Sequence, residues 1–95
     1  MKIAVLGASG IVGKAMLSIL YEKFPNAIIK GFASENKPLK IKEMCLEVDA
    51  LDSVEFGFFD VVISALPTNV ARVFLPKAIE SGCFVVDNSS AFRED

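Results

Sequence analysis

Histidine and tryptophan are absent from these 95 residues, tyrosine occurs once and cysteine twice. Without histidine the chain lacks the commonest general base near neutral pH, and any zinc site that uses an imidazole. Cys45 and Cys83 stand far apart with no CxxC spacing, so no metal site is expected. Both are expected as small packed side chains, reduced, in a cytoplasmic protein. Ten Lys and Arg against twelve Asp and Glu leave a net charge of −2, with the cations scattered along the chain. That pattern offers no basic face for nucleic acid. No apolar run approaches the ~18 residues of a membrane span. The opening MKIAVLGASG is too short and too glycine-rich for a signal peptide. A protein that binds neither nucleic acid nor membrane is expected.

What the sequence has in plenty is apolar residues, 53% of the total. In a domain this small, that excess suggests strands buried on both faces. It also suggests surface that awaits a partner, either a further domain or a second subunit.

Strand and helix signals alternate. Residues 2–6 (KIAVL) form an apolar strand that runs straight into Gly7. Over 11–23, Val12, Met16, Ile19 and Leu20 recur at i, i+4, i+7 and i+8, the apolar stripe of a helix, with Lys14, Ser18 and Glu22 off it. Pro25-Asn26 stops that helix. Residues 27–33 (AIIKGFA) are a second strand, and 34–38 (SENKP) a turn by composition. LKIKEMCLEV alternates as a half-exposed strand or small hairpin would, and a short helical turn is expected after Asp49. DVVISA at 60–65 is a buried strand. A helix follows over Thr68 to Glu80, kinked or split at Pro76 and ended by Ser81-Gly82. Cys83 to Asp87 close the pattern as another buried strand. Such alternation predicts an α/β fold: a parallel sheet with right-handed crossovers, a partial doubly wound (Rossmann-like) sheet that stops before the domain is complete.

The most informative motif of the first half is GASGIVG. Gly7, Gly10 and Gly13 follow a strand and open a helix, which is the setting that gives this spacing meaning. Gly7 allows the tight turn out of the strand. Gly10 leaves room for a pyrophosphate to approach the backbone, and Gly13 lets the helix lie close to the sheet. The free N–H groups from Ser9 through Ile11 to Val12, together with the helix dipole, attract phosphate, and the Ser9 hydroxyl adds a donor. The expected ligand is a dinucleotide. The end of the second strand reads both ways on which one. An acidic residue there suits the ribose hydroxyls of NAD, whereas basic and hydroxyl groups suit the 2′-phosphate of NADP. Ser34, Glu35, Asn36 and Lys37 offer both.

Taken in order, GASGIVG, SALPTN (64–69) and DNSSAFR (87–93) resemble aspartate-semialdehyde dehydrogenase. DNSSAFR is the sharpest element, because it fixes seven letters at one strand end. The resemblance implies an NADP-dependent acyl-phosphate reductase that interconverts aspartyl phosphate and aspartate semialdehyde, in lysine, threonine and methionine biosynthesis. It implies diphosphate contacts at Ser9 to Val12, contacts to the adenosine 2′-phosphate at Ser34, Asn36 and Lys37, and a cofactor cleft lined by Ser64 and Ala65. Arg93 matches the arginine that binds the substrate phosphate, and its planar fork beside a strand's carboxyl end suits that role. NADP is the expected cofactor, with NAD left open by Glu35. The partners implied are a small acyl-phosphate or aldehyde substrate and other copies of the same protein, as a homo-oligomer.

The family's reaction needs a cysteine nucleophile and a histidine. Neither is present: there is no histidine, and both cysteines precede the tail motif that the family's nucleophile follows. Residues 1–95 are therefore expected to be the amino-terminal part of a dinucleotide-binding domain, with no catalytic residue and without the catalytic and dimerisation domain. Two relatives of the reading stay open, a non-catalytic dinucleotide-sensing module and an N-acetylglutamyl-phosphate reductase. An extended short-chain dehydrogenase fits worse, because it needs a Tyr with a Lys four positions on, and Tyr21 is followed there by Pro25.

Overall fold

Alternating apolar pairs make β1, Lys2–Leu6, the centre of the molecule. Ile3 and Val5 point to one face of the sheet, Ala4 and Leu6 to the other, and all four are almost wholly buried. The computed structural model describes residues 1–8, 10–33, 37–41 and 44–87. After β1 come α1 (Ile11–Lys23), β2 (Ile28–Ala33), β3 (Lys37–Ile41), β4 (Met44–Ala50), β5 (Val61–Ser64), α2 (Thr68–Glu80) and β6 (Phe84–Asp87). Two single 3-10 turns, Leu51–Ser53 and Phe56–Phe58, carry the chain from β4 to β5. The sheet order is β3-β4-β2-β1-β5-β6. Every neighbouring pair is parallel except β3 and β4, an antiparallel hairpin.

The two faces bury different clusters. On one, α1 brings Leu17 and Leu20 onto Ile3, Val5, Ala8, Ala33 and Val48. On the other, α2 brings Ala71, Leu75 and Ala78 onto Ala4, Leu6, Phe32 and Val62, together with Phe56 and Phe59 from the β4–β5 connection. Each fully buried Leu or Val contributes about 1.5–3 kcal/mol by leaving water, so the strands on both sides of β1 are held mainly by these two clusters. Phe32 and Phe59 meet edge to face, with ring centroids 5.7 Å apart.

The expected partial doubly wound sheet is what forms; two open alternatives are decided and three details depart. The sheet has six strands among the described residues, because Lys37–Ile41 and Met44–Ala50 pair antiparallel, the hairpin of the two expected alternatives. Lys37 and Pro38, expected in a turn, already belong to β3. A proline is tolerated there because β3 is the outermost strand of the described sheet. In α1 the buried line is Gly13, Leu17 and Leu20, while Val12 and Ile19 are about half exposed, at 47% and 50%. Pro76 does not split α2 into two helices. The carbonyl it leaves without a donor is that of Arg72; both residues are exposed, so water can take the donor's place. Lastly, β6 is an outer strand rather than a buried one, and Phe84 is 68% exposed.

Helix ends follow their sequence signals. Phe24, which precedes Pro25, leaves the helical region at φ −128°, ψ 66°. At the far end of α2, Gly82 takes φ +86° and donates to the Ile79 carbonyl at 3.1 Å, a left-handed cap. No described helix is long and apolar enough to cross a membrane.

Candidate functional site

The sheet order reverses direction at β1. From β1 the chain crosses through α1 to β2, and from the β4 side it returns to lay β5 against β1's opposite edge. In an open α/β sheet the crevice outside the strands' carboxyl ends, at this switch point, is where ligands sit. Two short groups of residues frame it here: Gly7, Ala8 and Gly10 after β1, and Ala65, Leu66 and Pro67 after β5.

Hydrogen bonds fix both groups to the strand ends. The N–H groups of Gly7 and Ala8 both donate to the Phe32 carbonyl, at 2.8 and 3.0 Å, tying the loop to β2. The Ala65 N–H donates to the Leu6 carbonyl at 2.9 Å, tying the second segment to β1. Gly10 donates to the Gly7 carbonyl at 3.2 Å and closes the turn.

The three glycines are needed for three different reasons. Gly7 has φ +80°, and a Cβ there would lie 2.9 Å from the Ala65 carbonyl oxygen. Gly13 has ordinary helical geometry, but a Cβ would overlap the Gly7 carbonyl oxygen and stand 2.8 Å from the Ala8 Cα. It is the contact that lets α1 lie against the loop. Gly10 is unlike both. Its φ is −78°, a methyl group placed on it would meet nothing among the described residues nearer than the Gly7 oxygen at an ordinary 3.5 Å, and it is exposed. Neither backbone conformation nor packing within the described chain calls for glycine at 10.

Gly10 is also the N-cap of α1 and supplies no side-chain cap, and the first turn carries no acidic residue. The N–H groups of Ile11, Val12 and Gly13 have no intrahelical acceptor by the geometry of any helix start. They point out of the helix end beside the exposed Gly10, where the macrodipole favours an anion.

Other expected site residues fall as follows. Ser9, Ser34, Asn36 and Arg93 lie outside the described residues, as does Glu35. Lys37 opens β3 and pairs with Val48 of β4, which in turn pairs with Gly31 of β2. Its backbone is thus two strands from β2, near that strand's carboxyl end. Ala65 is half-buried at the crevice, but Ser64, expected to line it, is fully enclosed, and its Oγ accepts the Leu66 N–H at 3.3 Å. Sequence reasoning missed Gly31, where a Cβ would come 2.8 Å from the Ala8 Cβ. A glycine in the middle of an apolar strand is the only signal that could have shown it.

The Tyr21 and Cys83 side chains are held away from chemistry. The Tyr21 hydroxyl donates to the Ile29 carbonyl at 3.1 Å, and burial pushes its pKa up. Burial, and then the charge of Asp60, push the Cys83 thiol up as well. Its Sγ donates to the Phe56 carbonyl at 2.9 Å, which suits a packed thiol and not a nucleophile.

Sheet order, glycine loop and helix start together define a Rossmann-like α/β domain of the dinucleotide-binding class. The family described as "Semialdehyde dehydrogenase, NAD binding domain" matches residues 2–95, and the chain belongs to it. It is 37% identical over 97 residues to an aspartate-semialdehyde dehydrogenase of Rickettsia conorii, covering 98% of this chain and 29% of that protein. The chain therefore spans under a third of that relative's length. A probable aspartate-semialdehyde dehydrogenase from Pseudomonas aeruginosa superposes with a TM-score of 0.88 at 30% identity, over 100% of this chain and 30% of the other. The enzyme from Candida albicans, solved with NADP, superposes with a TM-score of 0.76 at 28% identity, over 99% of this chain and 31% of the other.

Proposed function

We propose that this chain holds the diphosphate and adenosine halves of NADP within an aspartate-semialdehyde dehydrogenase. The observation that carries the reading is Gly10: a glycine that nothing among the described residues requires, exposed beside an uncapped helix start. A ligand that must approach the backbone closely supplies the missing reason. The diphosphate rests on the N–H groups of Ile11, Val12 and Gly13, with Ser9 adding its hydroxyl. Gly7 and Gly13 act by letting the loop and helix close up, and Ala65 bounds the crevice on the β5 side. Ser34, Asn36 and Lys37 take the adenosine 2′-phosphate, which favours NADP over NAD. The NADP complex of the Candida albicans enzyme, similar across nearly all of this chain, supports that choice.

When bound, the cofactor supplies the hydride chemistry of an acyl-phosphate reductase. This chain's residues bind and orient it, and Arg93 holds the substrate's phosphate. The substrate pair is aspartyl phosphate and aspartate semialdehyde, within lysine, threonine and methionine biosynthesis. The working protein is a cytoplasmic homo-oligomer. Calorimetric titration of the purified chain with NADP and with NAD tests the reading. Saturable binding with NADP the tighter supports it, and no binding of either by a folded chain overturns it.

A further inference from the structure

Among the described residues, Ser64 is the one buried polar residue of the core, and its surroundings give it a task. The Leu66 N–H donates to its Oγ at 3.3 Å in a buried setting. Leu66 itself is 4% exposed, so that N–H has no water to turn to. The peptide between Ala65 and Leu66 is also the surface against which the glycine loop closes. A Cβ on Gly7 would stand 2.9 Å from the Ala65 oxygen, 3.0 Å from the Ala65 carbon and 3.3 Å from the Leu66 nitrogen. On its other side, the Ala65 N–H is committed to Leu6 at the end of β1. The first turn of α2 starts immediately beyond, where Val70 and Ala71 donate to the Pro67 carbonyl at 3.0 and 2.9 Å.

From this geometry we propose that Ser64 is a positioning residue for the dinucleotide site: its hydroxyl sets the plane of the Ala65–Leu66 peptide, and that peptide in turn sets the position of Gly7 and the diphosphate loop. Ser64 itself does not touch the ligand. The inference rests on the dinucleotide reading above. Removing the hydroxyl leaves the Leu66 N–H buried without an acceptor, a costly state that the peptide relieves by rotating. Rotation moves the Ala65 oxygen, the atom nearest to where a Gly7 side chain would be. The loop that must cradle a phosphate then loses its fixed wall.

The test compares Ser64→Ala, Ser64→Cys and Ser64→Thr in the full chain, measuring both NADP affinity and the melting temperature without ligand. Alanine removes the acceptor while nearly keeping the volume, cysteine replaces it with a poor and larger one, and each is expected to weaken binding about tenfold. Threonine keeps the acceptor and crowds the enclosed site, so it should lower the melting temperature and leave affinity within about threefold of wild type. That opposite ordering of affinity and stability is what a purely structural role would not produce. Exchange of the Leu66 amide with solvent should quicken in alanine and cysteine but not in threonine. If alanine does not fold, cysteine decides the matter. Wild-type affinity in a folded alanine or cysteine variant, or equal weakening in threonine, overturns the proposal. A wild-type chain that binds no dinucleotide overturns the functional reading instead.

Discussion

The α-carbon of Gly13 faces the carbonyl oxygen of Gly7 so closely that any side chain at 13 would overlap it. The neighbour is backbone, not a flexible side chain, so it cannot step aside without moving the loop. Gly13→Ala should therefore destabilise the fold, by about 2–3 kcal/mol at the upper end of overpacking costs. For a domain of this size that is on the order of 10 °C or more in melting temperature. Thermal unfolding followed by circular dichroism measures it. A variant that melts with wild type would mean that α1 does not lie where the contact requires.

Gly10 should behave in the opposite way. Its conformation is open to any residue, and a methyl there meets nothing among the described residues closer than 3.5 Å. Gly10→Val exchanges a fair helix cap for a poor one, which costs about 1 kcal/mol or less, and helix content should persist. Dinucleotide binding should be lost, because the branched side chain occupies the approach to the helix start. Calorimetry on the folded variant provides the check, and unchanged affinity would remove the diphosphate assignment at this loop.

That contrast also marks what was legible in the sequence. Both helices, the central strands and the glycine loop follow from periodicity and punctuation, because each obeys a local rule. The buried line of α1 does not. Hydropathy favours Val12 and Ile19, yet the residue that touches the sheet's loop is Gly13, which contributes no hydropathy at all. The start of β3 was hidden for a related reason: Lys37-Pro38 has turn composition, and only its place at the sheet's outer edge lets it be a strand. The enclosure of Ser64 and the exposure of Phe84 depend on which strand is covered by which helix, and no window of neighbouring residues carries that information. Arg93, Ser34 and Asn36 remain arguments from motif.

Cofactor choice can be tested at Lys37. A charge-assisted contact to a phosphate contributes about 1.5–3 kcal/mol. Lys37→Glu should thus weaken NADP binding tenfold or more while sparing NAD, which has no 2′-phosphate. Raising the salt concentration should narrow the difference between the cofactors in the wild-type chain. A wild-type chain that prefers NAD would reverse the assignment and make Glu35 the discriminating residue.

The Cys83 thiol gives a pH dependence whose sign can be worked out. Its pKa in the folded chain is raised, by burial first and by Asp60 second. The unfolded chain therefore loses this proton earlier as pH rises. The group's contribution to stability is fully present below the unfolded thiol's pKa and is lost as pH climbs through the folded one. Cys83→Ser, whose hydroxyl does not titrate in this range, should flatten the fall in melting temperature on the alkaline side, between about pH 8.5 and the folded value. In a Cys45→Ser background, alkylation of Cys83 by iodoacetamide should also be slow in the folded chain and fast in denaturant. Fast alkylation of Cys83 in the native protein would contradict a packed, protonated thiol.

Beside α1, part of the sheet face stays open. Phe84 and Val86 of β6 pair in register with Val61 and Ile63 of β5, so all four share the face that carries α1. Phe84 is 68% and Val86 42% exposed, and β6 forms an outer edge of the described sheet. An apolar strand at the edge of a sheet is a template for pairing with another chain. Residues 1–95 studied alone should therefore associate as concentration rises, and sedimentation should show a shift from monomer to larger species. Phe84→Lys with Val86→Lys should keep the chain monomeric at concentrations where wild type associates. Both positions are open to solvent, so the fold should survive the change and the glycine loop should still bind dinucleotide. Association that persists unchanged in the double variant would place the contact on another surface, with the half-exposed Val12 and Ile19 of α1 the next to be changed.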